Sequence, residues 1–122
     1  MKKPMFLLLF ALLLSACSAN VVEVTLYEMN SFSDVNEDSA VVITDDEDIS
    51  IFTKAVNGAK KQSGIVDMDD PHFKVDIGEE SYFLWTGPES GTVMNTEDTH
   101  TIYSLSPRAA GQVNDWIRVH RD

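Results

Sequence analysis

Cysteine is almost missing from this chain, Cys17 being the only one in 122 residues. An intramolecular disulfide and a thiolate metal cluster are therefore ruled out, and stability has to come from a packed core. Basic residues are scarce too, nine Lys and Arg against twenty Asp and Glu, for a formal charge of −11. Phosphate backbones need the opposite sign, which argues against nucleic acid as a partner. Anionic headgroups would repel the same surface. With only four prolines and six glycines, the composition is neither collagen-like nor that of a Pro/Gly-rich disordered chain. Beyond Leu14 there is no long apolar run, so no downstream transmembrane helix is expected. Common enzyme signatures are also missing. Ser90 is misplaced between Gly87 and Gly91 for G-x-S-x-G, and there is no H-E-x-x-H, no C-x-x-C and no phosphate-cradling glycine loop.

What is present begins with an export signal. Lys2 and Lys3 precede an apolar run from Met5 to Leu14, which ends at Leu14-Ser15-Ala16-Cys17. That tetrapeptide resembles a lipobox, the site at which a bacterial signal peptidase cleaves and Cys17 receives a diacylglyceryl group. The expectation is a signal peptide over 1–16, a lipidated Cys17 with a short tether to residue 20, and one domain over 21–120. Such a protein would be held by its lipid on the outer face of the cytoplasmic membrane. Cleavage also removes Lys2 and Lys3, leaving seven basic against twenty acidic side chains, a formal −13. Acyl chains rather than a polybasic patch would then have to hold the protein at the membrane. Ser18, Ala19 and Asn20 span roughly 10 Å when extended, so the domain is expected close to the bilayer.

Val22, Val24 and Leu26 alternate with Glu23, Thr25 and Tyr27, as in a half-buried strand. Residues 28–39 are polar and acidic and read as a loop; Ala40 to Ile43 is a short β-branched run. Thr44-Asp45-Asp46-Glu47 fits a capping box. Ile49, Phe52, Val56 and Ala59 follow at helical spacing, and Gly64 can stop the helix, which is expected over 45–62. Phe73, Val75 and Ile77 alternate with His72, Lys74 and Asp76. Gly78-Glu79-Glu80 then reads as a turn, and Ser81 to Thr86 as a strand apolar on both sides. Short strands are expected near Thr92 to Met94 and His100 to Leu105. Ser106-Pro107 opens a closing helix whose stripe is Ala109, Val113, Trp116 and Ile117. The order β-β-α-β-β-β-β-α makes an α+β fold, an antiparallel sheet with two helices packed on one face.

Several stretches together, Gly64 to His72, Tyr82-Phe83-Leu84-Trp85, Gly91 to Met94 and Asp98 to Leu105, resemble small lipoproteins of Bacillus and its relatives that carry a YhfM-like domain. The resemblance covers most of residues 21–117. It implies a one-domain lipoprotein on the outer face of the membrane and brings no reaction, cofactor or catalytic residue with it.

The densest set of potential ligands is Asp67, Asp69, Asp70 and His72. Hard carboxylate oxygens can hold Ca²⁺, and a carboxylate beside an imidazole can move protons. Met68 and Pro71 interrupt any EF-hand pattern, and Asp side chains ahead of a strand commonly bond backbone amides instead. Tyr82, Phe83 and Trp85 are either core or the lining of a groove. Asp98 and Thr99 are either a turn or ligand contacts. From Glu23 to Asp48 there are nine acids and no base, a solvated face or an attractor of cations and basic partners. The leading expectation is a non-catalytic domain that meets an envelope protein or a small ligand and has no cofactor. The alternative is a carboxylate-dependent hydrolase or a cation-binding protein built on Asp67, Asp70 and His72.

Overall fold

In the computed structural model, residues 21–63 and 68–121 are described. Seven strands and two helices follow in the order β1 (Val24–Ser31), β2 (Asp34–Ile43), α1 (Asp46–Asn57), β3 (Lys60–Gln62), β4 (Phe73–Ile77), β5 (Glu80–Thr86), β6 (Gly91–Asn95), β7 (Ile102–Ser104) and α2 (Pro107–Arg121). All strands join one antiparallel sheet in the order β2-β1-β4-β5-β6-β7-β3. The α+β plan and element order match the expectation, with the three-residue β3 added at one edge.

The pairing register sorts the side chains onto two faces. Val24 and Leu26 of β1 lie opposite Ile77 and Val75 of β4. Val75 in turn faces Tyr82, Phe73 faces Leu84, and Leu84 faces Val93. This face is the core. Ile49, Phe52 and Ala55 of α1 and Ala110, Val113, Trp116 and Ile117 of α2 close over it. Phe52 meets the Trp116 indole edge to face, with ring centroids 5.4 Å apart. Such a pair adds about 0.5–1.5 kcal/mol beyond simple burial.

Local chemistry fixes the element ends. Asp45, not Thr44, caps α1: its carboxylate accepts the Asp48 amide at 3.2 Å, while Asp46, Glu47 and Asp48 fill the first turn. The helix stops at Asn57 rather than at residue 62. Asn57 and Gly58 are poor helix formers, and Lys60 to Gln62 gain backbone partners from β7 instead. Gly64 lies outside the described residues. Ser106 caps α2 as expected, its hydroxyl accepting the Ala109 amide at 3.2 Å, with Pro107 as the first helical residue. Gly78, at φ 61°, supplies the left-handed residue that the tight β4–β5 turn requires.

Residues 28–39 are not a loop. They form the outer part of a long β1–β2 hairpin whose turn is Phe32–Ser33. Its register shifts between Leu26 and Glu28 and again between Met29 and Ser31. Pairing of β1 with β4 ends at Glu28–Phe73, followed by a single bond from the Met29 amide to the His72 carbonyl. The tip therefore overhangs the sheet.

Candidate functional site

Opposite the helices, the sheet carries a second, smaller apolar cluster. Odd-numbered residues of β5 point this way, so Phe83 and Trp85 lie here while Tyr82 and Leu84 face the helices. Trp85 and Met94 are buried yet stand apart from the main core. Phe32, at the overhanging hairpin tip, folds back onto this cluster. Its ring is edge-on to Phe83 at 5.5 Å and tilted against Trp85 at 5.8 Å.

The segment before β4 holds that arrangement in place. The Trp85 indole donates to the Asp69 carbonyl at 2.9 Å, and the Phe32 amide donates to the Asp70 carboxylate at 3.2 Å. The Thr86 amide donates to Nδ1 of His72 at 3.0 Å. Since a backbone N–H can only donate, this bond places the ring proton of His72 on Nε2. His72 is also in the ladder through its own backbone, its amide reaching the Leu84 carbonyl. Asp70 and His72 thus spend one oxygen and one ring nitrogen on the amides of Phe32, in the β1–β2 turn, and Thr86, at the end of β5. Asp67 lies outside the described residues, as does Cys17.

The remaining candidates are dispersed. Tyr82 is half-buried against the main core on the opposite face from Trp85, so the two do not line one groove. Burial raises the Tyr82 phenol pKa, and the nearby Glu80 carboxylate and Tyr103 phenol push it the same way. Asp98 accepts the His100 amide at 3.3 Å, the turn bond its position suggests, and Thr99 is exposed in the same turn. Among the described residues, no three His, Cys, Asp or Glu side chains gather as a metal site. The acids of 23–48 are likewise divided: Asp45 caps α1, Asp34 accepts the Asn30 amide group at 3.3 Å, and Glu28 pairs with Arg121.

Two contributors have little or no mark in the sequence. Arg121, from the last turn of α2, binds the Glu28 carboxylate and the Ser39 carbonyl and lies 5.9 Å from the Phe73 ring centroid. Nothing in the residue pattern signals it. Phe32 does leave a signal, being the one aromatic residue inside the polar run 28–39. On the open face, Lys74 bonds Asp76 at 3.1 Å, Ser81 donates to the same Asp76 oxygen at 2.7 Å, and the Lys74 ammonium stands 5.1 Å over the Tyr27 ring.

Fold and site together define a small α+β domain with one helix-covered sheet face and a second face strapped at one end by its own hairpin. The profile of the YhfM protein family matches residues 22–121, and the chain belongs to that family. No curated protein and no solved structure matches it. Among the described residues, no helix is long and apolar enough to cross a membrane.

Proposed function

We propose that this is a lipid-anchored extracytoplasmic protein, held through Cys17 at the outer face of the cytoplasmic membrane. Its domain would act as a non-catalytic binding or interaction module for an envelope protein or a small ligand. The anchor rests on the lipobox-like Leu14-Ser15-Ala16-Cys17 after two lysines and an apolar run. One observation carries the non-catalytic half. Asp70 and His72, the carboxylate and imidazole an acid/base hydrolase would employ, both bind backbone amides that hold the fold. A general base must reach a substrate proton, and a side chain committed to a backbone amide is poorly placed for that.

The test is crosslinking in intact cells, detergent extraction and mass spectrometry of whatever is attached to the tagged protein. A recurrent envelope partner, lost when exposed positions near Asp69 and His72 are changed, supports the module. Turnover of a wall glycan or peptide by the domain, abolished in a folded Asp70→Asn variant, would overturn it. Cys17→Ala should release or misprocess the protein; unaltered membrane retention contradicts the anchor.

A further inference from the structure

The overhanging hairpin tip raises the question of why a polar, acidic turn carries one phenylalanine. Among the described residues, the side chains of Asn30, Ser31, Ser33 and Asp34 around it bond only locally, Asn30 to Asp34 and Ser31 to Ser33. Among the described residues, and beyond its own ladder, the tip is fixed to the body by the Phe32 ring on Phe83 and Trp85 and the Phe32 amide on Asp70. Both contacts belong to one residue. Together they read an aromatic side chain and the backbone N–H that carries it, a pair of features any extended peptide with an aromatic residue also offers. The floor beneath is prepared independently of the tip: Phe83 and Trp85 are fixed by pairing with β4 and β6, and the Trp85 indole is tied to the Asp69 carbonyl.

We propose that Phe32 is a ligand in cis, a lid occupying a slot for an aromatic residue of a partner peptide, with Phe83 and Trp85 as its walls and Asp70 as the acceptor for the peptide N–H. The register shifts in β1–β2 and the lack of a β4 partner beyond Met29 give the tip a place to bend without unpairing the sheet. An occupied slot lowers apparent affinity by the fraction of molecules in which the tip is lifted. The inference deepens the interaction-domain reading and rests on it; it does not depend on the lipid anchor.

The probe is N-acetyl-phenylalanine amide, titrated into the full mature protein and followed by ¹H–¹⁵N spectra. In the wild type, the Phe32 amide and the Trp85 indole should shift together while the Trp116 indole in the helix layer stays put. Phe32→Ala should bind the probe at least about tenfold more tightly, because the internal competitor is gone. Phe83→Ala in that background should abolish the gain, and Asp70→Ala should weaken it. Equal binding of N-acetyl-alanine amide, or a Phe32→Ala protein no tighter than wild type, would overturn the proposal. So would the absence of any wild-type shift at Phe32. An envelope partner whose crosslinking survives Phe83→Ala would preserve the interaction module and overturn this slot as its binding site.

Discussion

Replacing Asp70 with alanine removes the acceptor of the Phe32 amide, 3.2 Å away in the intact protein. A bond to a charged acceptor contributes about 1.5–3 kcal/mol, but Asp70 is exposed, which favours the low end. The freed amide regains water when the tip lifts, so the net loss from the bond is near 1 kcal/mol. Lifting the tip also uncovers a half-buried phenylalanine, worth about half of the 1.5–3 kcal/mol of full burial, again near 1 kcal/mol. The total is about 2 kcal/mol, which for a domain near 100 residues lowers Tm by roughly 8–16 °C. Asp70→Asn keeps an oxygen in place and should lose less than about 0.5 kcal/mol. Urea unfolding followed by tryptophan emission measures both variants, and hydrogen exchange at the Phe32 amide reports the bond itself. A carboxylate poised for chemistry would show the reverse, since freeing a strained active-site acid tends to stabilise the fold. An Asp70→Ala protein as stable as wild type, with Phe32 exchange unchanged, would refute a structural role for Asp70.

Phe52→Ala should cost about 3–5 kcal/mol, because the buried ring and its edge-on contact with Trp116 vanish together; chemical denaturation measures it, and a loss below about 1 kcal/mol would contradict a core position for Phe52. Gly91→Ala should destabilise by about 1–3 kcal/mol, since a Cβ there would stand 2.8 Å from Leu105 Cδ1, whose own amide bonds the Gly91 carbonyl. Arg121→Ala should cost about 1 kcal/mol and loosen the end of α2, the Glu28 partner being half-exposed and the bond to the Ser39 carbonyl adding little more; hydrogen exchange across α2 checks it. Tyr82 has a folded pKa raised above its ordinary value of 10.0. Its contribution is therefore complete below that pH and is lost as pH climbs through the folded value, so stability should fall on the alkaline side, less steeply in Tyr82→Phe.

Alternation and capping made much of the fold legible. Val24 and Leu26, Phe73 to Ile77 and Tyr82 to Trp85 show their faces in the sequence, and Ser106-Pro107 announces α2. Three things were hidden. The outer hairpin has side chains in solvent on both faces, so 28–39 lacks the apolar period that reveals a strand, and its Phe32–Ser33 turn contains no glycine. Lys60 to Gln62, wholly exposed, become a strand only because β7 offers them backbone bonds, a tertiary cause invisible in local propensity. At the candidate site, the Asp69 to His72 cluster was conspicuous by residue type, but its hydrogen-bond partners, the Phe32 and Thr86 amides and the Trp85 indole, come from elsewhere in the chain. Composition identified the groups; pairing register decided what each holds.

Strand order has a mechanical consequence. The chain enters the sheet at β1, which is not an edge strand but is clasped between β2 and β4. A pull on the segment ahead of Val24, directed along the strand, loads the ladders to Ile43 through Val41 and to Ile77 through Phe73 at the same time. Ladder bonds run perpendicular to the strands, so they resist such a load in shear, many at once, instead of unzipping in succession. Tension applied ahead of Val24 would thus have to break two rows of bonds together, where an edge strand would offer only one.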